Sequence, residues 1–167
     1  MVLLENGSPL ATYPVSTSKF GLGDIPGSSG TPLGNLEIAR KIGGGAPNGA
    51  VFKDRKRTGE IVLPDAPGRD PIVSRILWLR GLESQNDRAF SRYIYIHGTP
   101  EERNIGLPVS YGCVRMRSGD VIRLFDIVGT GARVTIANAP LEVLVPNLTP
   151  AATRVAAAEE SQKLDAR

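Results

Sequence analysis

SRYIYIHG, residues 91–98, and its upstream counterpart SRILWLRG, residues 74–81, decide how this chain folds. Both interleave β-branched and aromatic residues without helical spacing, and both end at glycine, the pattern of strands buried in the middle of a sheet. They give strands over Ile72–Leu79 and Arg92–Ile96, the second delivering His97 at a strand end. Outward from this pair, further strands are expected at Leu36–Ile42, Ala50–Lys53 and Ile61–Leu63, each bounded by Gly, Pro or charge. The segment VLLENGSPLATYPV, residues 2–15, reads as two strands turned at Asn6-Gly7, the pair that best supplies positive φ at both centres of a tight hairpin. Residues 16–34 form a loop dense in Gly, Ser and Pro, and a structureless loop of that length tends to be functional, so it is expected to border the site.

Helices are few. Thr99-Pro100-Glu101-Glu102 carries a helix-start signature with Thr99 as N-cap and a glutamate reaching back. SGDVIRLFDIVG, residues 118–129, places Val121, Leu124, Phe125 and Val128 on one helical face, with Ser118 as cap and Gly129 as terminator. ARVTIA then returns as a strand. Beyond it, the proline-broken LEVLVPNLTP and an alanine-rich, charged tail read as an appended helix or flexible extension. The domain reading is one mainly β unit over 1–137 and an extension over 138–167.

A net charge of +3, from 20 basic against 17 acidic residues, gives no ground for a nucleic-acid partner. The cluster Lys53-Asp54-Arg55-Lys56-Arg57 has two readings, a solvated loop face or a surface attracting an anionic polymer or peptide carboxylates. One cysteine excludes an internal disulfide and a thiolate metal cluster, and one histidine is too few for a catalytic zinc site. No apolar run reaches the ~20 residues of a membrane helix. The first ten residues lack the marks of an export signal, so either the protein is not exported or its signal lies outside this chain.

The single histidine and single cysteine stand sixteen positions apart, at His97 and Cys113, across a connection bearing Gly and Pro. A cysteine is nucleophilic as thiolate, and an imidazole of pKa near 6.5 can take the thiol proton and return it to a leaving amine. Gly112, directly before the cysteine, lets the chain turn sharply, and the backbone N–H groups of Tyr111, Gly112 and Cys113 are the candidate oxyanion donors. The alternative is structural: a lone cysteine is commonly buried, and a lone histidine at a strand end is often a hydrogen-bonded fixture.

IHGT at 96–99, GLPVSYGCVRM at 106–116, and the GTGARVTI that follows the helix resemble the catalytic domain of L,D-transpeptidases, the YkuD-like family, whose signature is an HG segment followed by S-H-G-C-[IV]-R. YPVSTSKFGLG and GTPLGNLEI resemble the family's V-S-T-G and T-P-x-G segments in order and spacing, so the resemblance spans Met1 to Ala137. It implies a β-sandwich-like fold in which Cys113 attacks a peptidoglycan stem tetrapeptide, releasing D-alanine and leaving a thioester. It further implies His97 as base, its second ring nitrogen held by a backbone carbonyl, and an acceptor amine that resolves the thioester into a 3–3 cross-link. Ser110 and Arg115 match family positions in the site, and Tyr95, Gly98 and Thr99 flank the histidine as substrate-binding or supporting residues. No metal or organic cofactor is implied. Stem peptides are the implied partners, carbapenem-type β-lactams the implied inhibitors, and the periplasm or wall the implied location. Tyr111 departs from the family, which has histidine there. Two rival readings remain: an L,D-carboxypeptidase or cross-link hydrolase using the same pair, and a non-catalytic peptidoglycan-binding module.

Overall fold

The computed structural model describes residues 1–145 and 148. The chain divides into two compact units, one joining residues 1–13 to the chain from Ala139 onward, the other spanning Pro14–Asn138. In the first, β1 (Val2–Glu5) and β2 (Ser8–Thr12) form an antiparallel hairpin. Its turn is the expected one: Asn6 and Gly7 take φ of 50° and 80°, the left-handed pair a two-residue connection requires. A short helical segment, Leu141–Leu144, belongs to the same unit. The rest of the extension expected past residue 137 lies outside the described residues, Val145 and Leu148 apart.

The second unit is built on a seven-stranded sheet. Its strands are β3 (Gly34–Ile42), β4 (Ala50–Lys53), β5 (Lys56–Ile61), β6 (Ile72–Gly81), β7 (Tyr95–Gly98), β8 (Val114–Met116) and β9 (Arg133–Ile136). β6 is central, pairing antiparallel with β3, β4 and β7, while β8 adds to β7 in parallel. β9 closes the far side of β3 and β5 that of β4. The mainly β expectation holds, with two sheets and few short helices.

Side-chain alternation along these strands sorts the residues onto two faces. Leu77 and Leu79 of β6 share a face with Ile96 of β7 and Val114 and Met116 of β8, all 5% exposed or less. The helix α1 (Ser118–Ile127) contacts β6 and β7 and brings the buried Val121, Leu124 and Phe125. Lys41, opposite Leu77, pins its C-terminal end by donating to the carbonyls of Phe125 and Val128, at 2.6 Å each. The opposite face carries Ile76 and Trp78, across from His97 and Tyr95. One side of the sheet thus holds the helix-covered core and the other carries His97.

Several local expectations change. Strand five runs over Lys56–Ile61, not Ile61–Leu63: Asp54 and Arg55 take φ of 49° and 65°, placing the basic cluster on a tight hairpin turn that is exposed except at the half-buried Arg55. The strand expected at Arg92–Ile96 starts at Tyr95, because the preceding residues turn, with Tyr93 at φ 59°. Ser118 is the first helical residue and not its cap. Its N–H donates to Glu102 Oε1 at 2.8 Å, and its hydroxyl accepts from Ser74 Oγ at 2.9 Å, so a glutamate distant in sequence does the capping. The helix ends with Val128 bonding the Leu124 carbonyl, one residue before Gly129. The turn after His97 is a 3₁₀ turn over Glu102–Asn104, and Thr99 N–H goes to the Met116 carbonyl, so no capping box forms there.

Candidate active site

β7 and β8 run parallel with His97 opposite Arg115 and Ile96 opposite Val114. Continuing this register one residue back sets Tyr95 beside Cys113, and the Tyr95 N–H donates to the Cys113 sulfur at 3.4 Å. His97 and Cys113 are therefore diagonal neighbours on one face of adjacent strands, a relation that sets side chains roughly 7–8 Å apart at the backbone and within mutual reach. The sulfur also donates to the Tyr93 carbonyl at 3.4 Å. Accepting one bond and donating another is the pattern of a neutral thiol.

His97 is 5% exposed, and its Nδ1 lies 2.8 Å from the Gly98 carbonyl. A carbonyl only accepts, so Nδ1 carries the proton and the neutral ring keeps Nε2 as its basic nitrogen. The support is a backbone carbonyl and not a carboxylate, as the resemblance implied. Burial pulls this imidazole down to about 4, helped by the Arg115 charge and opposed by the Gly98 bond and Asp70. Burial pushes the Cys113 thiol up to about 11, opposed by the Tyr95 N–H and the charges of Arg115 and Arg92. The resting pair is thus thiol and neutral imidazole, with no hydrogen bond between them. Both groups favour their neutral forms because burial takes them from water.

The remaining residues named from sequence divide by what they touch. Gly98 must be glycine: a Cβ there would sit 2.5 Å from the Val73 carbonyl, beside the bulge where buried Ser74 takes φ 68°. Gly112 takes φ 119°, and a Cβ on it would lie 3.1 Å from the Gly30 carbonyl. Residues 16–34 thereby press on the cysteine turn, as expected of a loop bordering the site, and Ser16 exchanges two backbone hydrogen bonds with Arg115. Ser110 closes the turn, its hydroxyl donating to the Cys113 carbonyl at 2.6 Å and accepting from the Gly112 N–H at 3.2 Å. The Tyr111 ring is 62% exposed, with Lys19 donating to its hydroxyl at 2.9 Å and Phe20 packed at 5.4 Å. That lysine holds the phenol below its ordinary value.

Asp70 was not legible in the sequence. Its carboxylate bonds Arg115 Nη1 at 2.5 Å and the Thr99 hydroxyl at 2.6 Å, joining the residues after both the histidine and the cysteine. Thr99 in turn accepts from the Glu101 N–H at 3.0 Å. No local pattern announces this, because the aspartate is 29 residues from one partner. Beside the sulfur, Cys113 packs on a cluster of Ala50, Phe52, Ile76, Trp78 and Tyr95. Phe52, Asp54, Arg55, Ile72, Tyr93 and Tyr95 line an adjoining cleft of about 330 Å³, which neither His97 nor Cys113 enters. Among the described residues no group of three or more His, Cys, Asp or Glu is placed to hold a metal ion, and no helix is long and apolar enough to cross a membrane.

The family model described as the L,D-transpeptidase catalytic domain, YkuD, matches residues 1–136. The probable L,D-transpeptidase YbiS of Escherichia coli is 29% identical over 140 residues, covering 80% of this chain and 41% of that protein. The probable L,D-transpeptidase ErfK/SrfK of Salmonella typhimurium is 46% identical over 106 residues, covering 59% and 34%. The chain thus spans less than half the length of these curated relatives. Among solved structures, that of the L,D-transpeptidase LdtMt1 in complex with imipenem aligns over 79% of this chain and 51% of its own, at 23% identity and a TM-score of 0.45. With the family match running through His97, Cys113 and the strands that carry them, this chain belongs to the YkuD family of L,D-transpeptidase catalytic domains.

Proposed function

We propose that the chain catalyses acyl transfer between peptidoglycan stem peptides, with Cys113 as nucleophile and His97 as general base, at the periplasmic or wall face of a bacterium. The observation that carries the reading is the tautomer of His97: Nδ1 is committed to the Gly98 carbonyl, and Nε2 is left basic on the face it shares with Cys113. Sγ attacks the carbonyl of the donor tetrapeptide while its proton passes to Nε2, and the oxyanion is received by backbone N–H groups of the 111–113 turn. Gly112 N–H already bonds Ser110, so Tyr111 and Cys113 are the foremost donors. The adduct collapses to a thioester, and the imidazolium protonates the departing amine of D-alanine. An acceptor amine then attacks the thioester, gives its proton to Nε2, and restores the thiol as the amide forms.

Neutral resting groups suit this sequence, since proton transfer is then coupled to attack and no standing thiolate is exposed to oxidants. Arg115, held by Asp70, whose other oxygen accepts from Thr99, supplies positive potential to the sulfur as charge develops. Intact-mass spectrometry with a carbapenem tests the assignment. One adduct is expected on the native chain and none on Cys113→Ala; a folded native sample that stays unmodified would defeat it.

A further inference from the structure

Arg55 stands at the hairpin tip between β4 and β5, and its guanidinium lies 5.3 Å from the Trp78 ring centre and 4.7 Å from that of Tyr93. One Nη reaches the Tyr95 hydroxyl at a long 3.4 Å. Six arginines of the described residues pair with carboxylates, and Arg55 is not among them. An arginine held over aromatic rings is kept in place, and apart from the Nη that makes the long Tyr95 contact its N–H donors are left for an incoming acceptor, the arrangement suited to a grip on a carboxylate. Those donors line the cleft of about 330 Å³ whose Phe52 and Ile72 walls are apolar. The cleft is joined to the nucleophile through its own wall, because Tyr93 and Tyr95 supply the carbonyl and N–H that hold the Cys113 sulfur. Asp54 also lines the cleft without pairing to Arg55 and opposes any anion that enters.

We propose that this cleft is a carboxylate subsite for the acyl-donor peptide, in which Arg55 grips a side-chain carboxylate while Phe52 and Ile72 cover the aliphatic stem leading to it. It rests on the donor-peptide reading above and adds to it the chemical class of group that orients the donor beside the sulfur. Apolar stem and charged tip match the two halves of the cleft. The position also gives the basic turn, read from sequence as either solvated or anion-attracting, a defined anion to attract.

The test is equilibrium binding by titration calorimetry, so that it does not depend on turnover. The ligands are a tripeptide ending at the acyl position with a side-chain carboxylate, and the same tripeptide with that group as carboxamide. The native chain is expected to bind the carboxylate form about tenfold or more tighter, the range of a charge-assisted pair. Arg55→Gln should erase that preference and leave carboxamide binding unchanged, while Arg55→Lys should keep part of it. Asp54→Asn, by removing an opposing charge, should tighten only the carboxylate form, by about two- to fivefold. Equal or absent binding of the two tripeptides by the native chain, or a preference that survives Arg55→Gln, overturns the subsite. A preserved preference in a chain that forms no carbapenem adduct overturns the transferase reading and leaves the subsite standing.

Discussion

At the scale of single residues, the site is governed by how much water burial withholds from two titratable groups. His97 is the only histidine, with a pKa near 6.5 when unfolded and about 4 in the fold. Between these values the unfolded chain binds a proton the folded chain refuses, so stability falls as pH drops through this window and is unaffected above it. At about 1.4 kcal/mol per pKa unit, the full loss is about 3 kcal/mol. Urea denaturation midpoints between pH 6.5 and 5, above the carboxylate range, should fall for the native chain and stay level for His97→Gln; a level native profile would show that the imidazole is solvated. The thiol behaves oppositely. Its proton is retained until about pH 11, so alkylation by iodoacetamide should keep accelerating through pH 9 without a plateau. An inflection below 8.5 would mean a standing thiolate pair. Slow alkylation therefore does not point to a non-catalytic module; the adduct experiment separates those readings.

At the scale of elements, the sheet positions what the strands alone cannot. Asp70, just before β6, ties the residue after β7 to the middle of β8 by bonding both Thr99 and Arg115. Arg115 Nε is buried and unbonded, so this carboxylate is what balances a largely desolvated guanidinium. Asp70→Asn should cost about 1.5–3 kcal/mol of stability, the range of a charged hydrogen bond, read by urea denaturation. It should also slow carbapenem acylation, since Arg115 is no longer fixed near the sulfur. Unchanged acylation with reduced stability would assign the aspartate to the fold alone. The strands at 34–42, 50–53, 72–81 and 133–136 were legible because β-branched runs between turn residues carry a local signal. β8 was not, being three residues long and defined by its partner. Lys56–Ile61 is exposed along its whole length, so hydrophobicity could not mark it as a strand. The placing of His97 and Cys113 on neighbouring strands could be suspected because each residue type occurs once, and the length and composition of residues 16–34 marked that loop as a neighbour of the site; Asp70 and the bonds by which the loop grips the cysteine turn were not legible, because their partners are settled only by folding.

At the scale of the whole catalytic unit, the cysteine turn is clamped from outside by a loop that has little structure of its own. Arg92, two residues before the helical-looking turn gives way to Ile94, ion-pairs with Asp24 and donates to the Gly30 carbonyl at 2.9 Å and the Gly23 carbonyl at 3.2 Å. Asp24 also accepts from the Arg88 N–H at 2.8 Å. The Gly30 carbonyl lies against Gly112, so one half-buried arginine connects residues 16–34 to the turn whose N–H groups receive the oxyanion in the proposed mechanism. The two side chains are 13% and 4% exposed, and breaking such a pair leaves an uncompensated charge in the interior. Arg92→Ala should cost about 3–5 kcal/mol, seen as a lowered urea midpoint. The same change releases the loop from Gly112, so acylation at a urea-free, fully folded temperature should slow as well. Arg92→Ala combined with Asp24→Ala removes the stranded charge and should recover part of the stability without recovering acylation. If acylation returned with stability, the loop would be acting only as a structural brace, and the geometry of the 111–113 turn would owe nothing to it.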